Sequence, residues 1–188
     1  MDGINIETIK QYRGQVTKNE VEHLAKLAKS LPENALIVEI GAYRGKSGGS
    51  IAFGMPKSAR LMSIDPWVLQ NETPQEYDTM ATVQEYHNNL LFAKPRVIQV
   101  IGYPNEVANY IGEIDMLFID AIKNGVTPIW EKWLPKVKKG GIIASHDYLP
   151  DPNNDQFYPE VVEVIENMVK PITTNHEHID FTFSGIKK

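Results

Sequence analysis

The residues able to do chemistry in this chain sit where short apolar runs stop. Asp65 closes Leu61-Met62-Ser63-Ile64, Asp120 closes Met116-Leu117-Phe118-Ile119, and His146-Asp147 follow Ile142-Ile143-Ala144-Ser145. Carboxylates and an imidazole in this combination can move protons, coordinate a divalent cation or accept from sugar hydroxyls. Glycines close two further runs, Gly41 after Ile37-Val38-Glu39-Ile40 and Gly102 after Val97 to Ile101. Gly41 opens the stretch Gly41-Ala42-Tyr43-Arg44-Gly45-Lys46-Ser47, a tight turn from a buried strand into a helix. Such a turn brings backbone N–H groups and a helix N-terminus against a ligand. Taken singly, each residue has a plain structural role: Asp65 before Pro66 forms a turn, Asp120 caps a helix, His146-Asp147 make a turn. Gathered on one rim they describe a site.

The elements that position them follow from periodicity. Residues 1–34 read as a helical N-terminal segment. In it Thr17-Lys18-Asn19-Glu20 form a capping box, and Val21, Leu24, Ala25, Leu27, Ala28 and Leu31 recur at helical spacing. His23 falls off that stripe and reads as solvated. Strands are expected at Ala35–Ile40, Arg60–Asp65, Arg96–Ile101, Asp115–Ile119 and Gly140–Ser145. Between them fall helices: one after the glycine loop, one with Tyr77, Met80, Val83 and Leu90 on one face, a short one around Glu106 to Ile111, and one begun by Thr127-Pro128. Val68 to Pro74 and Leu149 to Gln156 read as loops. Pro159 starts a helix carrying Val161, Val162, Ile165, Met168 and Val169, and Lys170 to Lys188 reads as two strands around a turn. Alternation of this kind specifies an α/β fold: a Rossmann-like, doubly wound, mostly parallel seven-stranded sheet, helices on both faces, with an antiparallel C-terminal edge. Residues 1–188 read as a single domain.

Composition narrows the function classes. The net charge of -5 disfavours a nucleic-acid partner, and the absence of cysteine excludes disulfides, thiolate metal sites and cysteine nucleophiles. No run approaches membrane-spanning length and no signal peptide is legible at Met1, so no membrane partner and a cytoplasmic location are the expectation. A homo-oligomer is left open. His176-Glu177-His178 reads as a solvated turn, and Lys136, Lys138 and Lys139 as a solvated helix end.

In open α/β sheets ligands bind outside the carboxyl ends of the strands, where the strand order reverses. An acid at the end of the second strand, where Asp65 stands, can take both hydroxyls of a ribose, which implies a nucleoside-containing ligand. Gly41-x-x-x-Gly45 lacks the central glycine of G-x-G-x-x-G, which argues against a nicotinamide dinucleotide, and Lys46-Ser47 follow too short a loop for a P-loop.

The order Glu39-x-Gly41-x-x-x-Gly45, Asp65, Ile114 to Asp120, then Gly140-Gly141-Ile142-Ile143-Ala144-Ser145-His146-Asp147-Tyr148 resembles class I S-adenosylmethionine-dependent methyltransferases. Within them it is most similar to small-molecule O-methyltransferases of the catechol and sugar-modifying types. The resemblance runs from Ala35 to the C-terminus. It implies S-adenosylmethionine as cofactor and a small hydroxylated acceptor, a sugar or secondary metabolite. It implies that Gly41, Tyr43 and Gly45 face the methionine part, with Glu39 orienting it and Ser47 on its carboxylate. Asp65 would hold the ribose, Trp67 flank the adenine, and Gly102 and Tyr103 form the far wall; Trp67 and Tyr103 serve equally well as packing residues.

In the catechol type the fourth-strand aspartate binds Mg²⁺ and a lysine three residues on helps deprotonate the acceptor; Asp120 and Lys123 fall on those positions. The family's Asp-Asn pair after the fifth strand is His146-Asp147 here, and the histidine that sugar-type relatives carry after the fourth-strand acid is missing. Mg²⁺ or another divalent cation on Asp120, His146 and Asp147 is thus one expectation, and His146 or Lys123 as general base without a metal is another. A scaffold on the same fold that binds the cofactor without catalysis is the alternative reading.

Overall fold

A computed structural model describes residues 4–67, 79–121 and 125–188. The elements are, in chain order, α1 (Ile6–Lys10), α2 (Lys18–Lys29), β1 (Leu36–Ile40), α3 (Lys46–Gly54), β2 (Arg60–Asp65), α4 (Thr79–Leu90), β3 (Val97–Ile101), α5 (Pro104–Val107), β4 (Ile114–Ile119), α6 (Thr127–Trp133), β5 (Val137–Ser145), α7 (Pro159–Val164), β6 (Thr173–Ile179) and β7 (Thr182–Lys187). The sheet runs β3-β2-β1-β4-β5-β7-β6, with β1 to β5 parallel and β7 inserted antiparallel between β5 and β6. The order reverses between β1 and β4, so the crevice of a doubly wound sheet opens there.

Each central strand is buried on both faces, and its side chains alternate between two cores. Ile37, Leu61, Met116, Phe118, Ile142 and Ala144 meet Leu24 and Ala28 of α2, Ile51 and Ala52 of α3 and Leu90 of α4. Val38, Ile40, Ile64, Leu117 and Ile143 meet Trp130 and Trp133 of α6 and Val161, Val164, Ile165 and Val169 beyond. Glu39 lies in register with the first set, which turns a carboxyl toward α3.

Several expectations are corrected. Met80 is exposed, and the inward face of α4 is Val83, Tyr86 and Leu90. The helix from Pro159 continues as a π-helix over Ile165–Val169, and Val162 and Met168 are only partly buried. β5 begins at Val137, so Lys138 lies on a strand and pairs with Asp115 at 2.7 Å. The His176-Glu177-His178 run belongs to edge strand β6 rather than to a turn. His23 is buried: its Nε2 lies 3.0 Å from Ser184 Oγ on β7. The stripe on α2 is wider than its aliphatic residues suggest, because that helix packs on the β7 side as well as on α3. No helix among the described residues is long and apolar enough to cross a membrane.

Candidate active site

The glycine loop is shaped by a backbone collision it avoids. Gly41 has φ +85°, and a Cβ there would stand 1.7 Å from the carbonyl oxygen of Asp120. The ends of β1 and β4 therefore touch main chain to main chain, with Asp120 N–H donating to Ile40 O at 2.8 Å. Only glycine allows that approach. Gly45, φ +80°, then turns the chain into α3.

Asp65 holds this loop. One carboxylate oxygen accepts from the N–H groups of Ala42 and Tyr43, both at 2.9 Å, and the other from Trp67 N–H at 2.7 Å. The indole N–H of Trp67 returns to Tyr43 O at 2.9 Å. Tyr43 (φ 44°) and Trp67 (φ 42°) both sit in the left-handed region, where bulky side chains cost about 1–3 kcal/mol unless surrounding contacts fix them. Asp65 supplies those contacts. Asp147 (φ 61°), two residues beyond β5, also has positive φ, which an aspartate adopts more cheaply. Three of the six non-glycine residues with positive φ among the described residues thus follow β1, β2 and β5, the others being Asn34, Asn175 and Asp180.

Beneath the loop, Glu39 is fully buried and accepts from the hydroxyls of Ser47 and Ser63, each at 2.6 Å. Burial pushes its carboxyl up to about 7, against the pull of the two serines and with help from the charges of Asp120 and Asp65. The hydroxyl of Ser47, expected on the cofactor, points inward to Glu39. Trp67 is buried with its ring 5.0 Å from Tyr86, edge to face, whereas Tyr103 is exposed beside the partly exposed Gly102.

Across the switch point, β4 and β5 bring Asp120, His146 and Asp147 together, with one ligand atom of each within 4.8 Å of the others. His146 Nδ1 lies 3.6 Å from Asp120 Oδ1 and 3.2 Å from Asp147 Oδ1. The imidazole is buried, and neither ring nitrogen closes a hydrogen bond. Burial alone would lower its pKa; the carboxylates of Asp120 and Glu20 outweigh that and raise it to about 9. A buried orphan nitrogen between two carboxylate oxygens fits a divalent cation. The mixed oxygen and nitrogen donors suit Mn²⁺ or Zn²⁺ as well as Mg²⁺. Lys123, the expected partner of Asp120, lies outside the described residues, as does the loop expected from Val68 to Pro74.

Glu20 is the site residue that sequence reasoning missed. The capping box is present, with Glu20 accepting from Thr17 N–H at 2.7 Å. Its other oxygen accepts from Thr182 Oγ1 at 2.6 Å and Phe181 N–H at 3.2 Å, and faces His146 Nε2 at 3.5 Å. Its spacing from Thr17 signalled a helix start; nothing local signalled that the same carboxylate would meet β5 and β7.

The methyltransferase domain family model matches residues 38–148, which span both halves of this site. "Probable caffeoyl-CoA O-methyltransferase 2" of Dictyostelium discoideum is 27% identical over 121 residues, covering 62% of this chain and 51% of that one. The chain spans about half the length of the curated relatives it matches. Among solved structures, the O-methyltransferase TomG of Streptomyces achromogenes, involved in tomaymycin synthesis and solved with SAM, aligns at TM-score 0.71 and 19% identity, covering 97% of this chain and 89% of that one. An O-methyltransferase of Bacillus cereus in complex with SAH aligns at TM-score 0.69 and 17% identity, over 97% and 90%. At these identities the likeness carries the fold.

Proposed function

The chain belongs to the methyltransferase domain family, and from that premise we propose that it transfers the methyl group of S-adenosylmethionine to a hydroxyl oxygen of a small molecule. The reading takes residues 1–188 as one such domain. One observation supports it above the rest: Gly41 abuts the main chain of Asp120, so a cofactor on the glycine loop and an acceptor at the acid cluster are neighbours. The O-methyltransferase names of the relatives, and the cofactor forms bound in two of the structures, point the same way.

S-adenosylmethionine supplies an electrophilic methyl carbon, so the protein's work is alignment and proton removal. In this reading the N–H groups of the Gly41–Gly45 loop, held by Asp65, receive the methionine end. A carboxylate offers about four lone-pair directions; Asp65 spends three on backbone N–H groups, leaving one for a ribose hydroxyl. Asp120 and Asp147 face the acceptor and take or share its hydroxyl proton. With no cation bound, His146 is held protonated among these acids and balances their charge; it gives up the Nδ1 proton where Nδ1 takes a cation. Asp120, Asp147 and His146 Nδ1 would hold a divalent cation, which lowers the pKa of a bound hydroxyl.

Calorimetric titration with S-adenosylmethionine, with and without Mg²⁺ or Mn²⁺, followed by transfer of labelled methyl to a panel of catechols and sugars, tests this. Binding with turnover is the expected result. No binding under any condition refutes the assignment; binding without transfer to any hydroxylated acceptor moves it to a non-catalytic scaffold.

A further inference from the structure

The N-terminal helix α2 packs outside the match to the family model, yet its first turn sends a charged side chain into the acid cluster. Glu20 is fully buried. A buried carboxylate is tolerated only when its oxygens are satisfied, and here three donors on two elements aim it: Thr17 N–H from its own helix, and Phe181 N–H and Thr182 Oγ1 from the start of β7. Burial works against its charge, but His146, the Thr17 amide and the Thr182 hydroxyl hold its pKa below the usual value. The oxygen that Phe181 and Thr182 fix is the one that faces His146 Nε2, at 3.5 Å.

The other edge of the imidazole has different surroundings. Nδ1 faces Asp120 and Asp147 at the ends of β4 and β5, both partly open to the crevice, while the side chain of Glu20 has no exposed surface. The aromatic ring of Phe181 lies 6.0 Å from the imidazole and closes that flank. The hydrogen-bond partner of one histidine nitrogen decides what the other can do. We propose that Glu20 is a positioning residue of the site: as the carboxylate facing Nε2 at 3.5 Å, an ion-pair distance rather than a closed hydrogen bond, it favours the proton on that nitrogen, so that Nδ1 is the nitrogen presented to the crevice between Asp120 and Asp147. The same contact makes α2 and the β6–β7 turn part of the site. Thr17 Oγ1 also donates to Asp180 in that turn, at 2.5 Å.

This rests on the methyl-transfer reading for its purpose but is tested without cofactor or acceptor, so the two can fail separately. With five histidines in the chain, nitrogen NMR of histidine-labelled protein resolves His146, assigned by its loss in His146→Gln. In Glu20→Gln the Nε2 resonance of His146 is expected to move, and its Hε2 to exchange with solvent about tenfold faster, since a charge-assisted partner is lost. Thr17→Ala, which removes the cap without touching the carboxylate that faces His146, should leave both unchanged. If Glu20→Gln does not fold, Thr182→Val carries the test by releasing the oxygen that Thr182 aims, and a shift of the same Nε2 resonance is expected. An unmoved Nε2 resonance in the folded variant, or equal shifts in Thr17→Ala and the Glu20 variant, overturns the proposal.

Discussion

Replacing Asp65 by alanine separates two roles that a cofactor-binding acid can have. A residue that only receives a ribose would leave the unliganded protein as stable as before. The geometry requires otherwise, because Asp65 accepts from Ala42, Tyr43 and Trp67 backbone N–H groups in the absence of any ligand. Hydrogen bonds to a charged acceptor contribute about 1.5–3 kcal/mol each when fully shielded. Asp65 is only partly buried, so water replaces some of what is lost, and about 1 kcal/mol each, ~3 kcal/mol in all, is the better figure. The released loop can then let Tyr43 and Trp67 leave the left-handed region, which returns about 1 kcal/mol. A net loss of about 2 kcal/mol lowers Tm by roughly 4–8 °C for a chain of this size. Thermal and urea unfolding of the unliganded variant, with calorimetry for S-adenosylmethionine, read both effects. The expected result is a lower Tm together with affinity reduced by at least about tenfold, as the loop N–H groups lose their alignment. A wild-type Tm with weakened binding would show that Asp65 contacts only the ligand and would refute the loop-holding argument.

Two other substitutions probe the same frame. Gly41→Ala places a methyl group 1.7 Å from the Asp120 carbonyl, whereas Gly102→Ala meets only Val107 at 3.2 Å with an ordinary backbone; the first should cost about 3 kcal/mol or more and the second under about 1 kcal/mol by urea unfolding, and equal effects would contradict the β1–β4 contact. Glu39 supplies a pH dependence. Its folded pKa, about 7, lies above the unfolded value of 4.5, so the folded state holds the extra proton between these limits. The stability it contributes is present below about pH 4.5 and is lost as pH rises to 7, by about 3 kcal/mol in total. Glu39→Gln should flatten the pH–stability curve across that window, and a curve superimposable on wild type would show that Glu39 is not the buried titrating acid.

Much of this architecture is written locally. The apolar runs ending in Gly41, Asp120 and His146 are strands buried on both faces, those ending in Asp65 and Gly102 lie toward the open edge of the sheet, and each run stops at the carboxyl end where the crevice of such a fold lies. The Thr17–Glu20 capping box is local for the same reason: its partners are three residues apart on one helical turn. Tertiary structure decided which local signals had a second meaning. Glu20 caps its helix and also faces His146; Ser47 turns to Glu39; Trp67 is locked by Tyr43 and Tyr86; His23 is buried on β7. Ser47 meets Glu39 within one strand–loop–helix unit, but the contacts of Glu20 and His23 depend on which strands become neighbours across the sheet, and strand order is a property of the whole chain. Periodicity within one element carries the direction a side chain leaves its own backbone; whose backbone it meets is settled only when β7 slots between β5 and β6 and α2 closes over them.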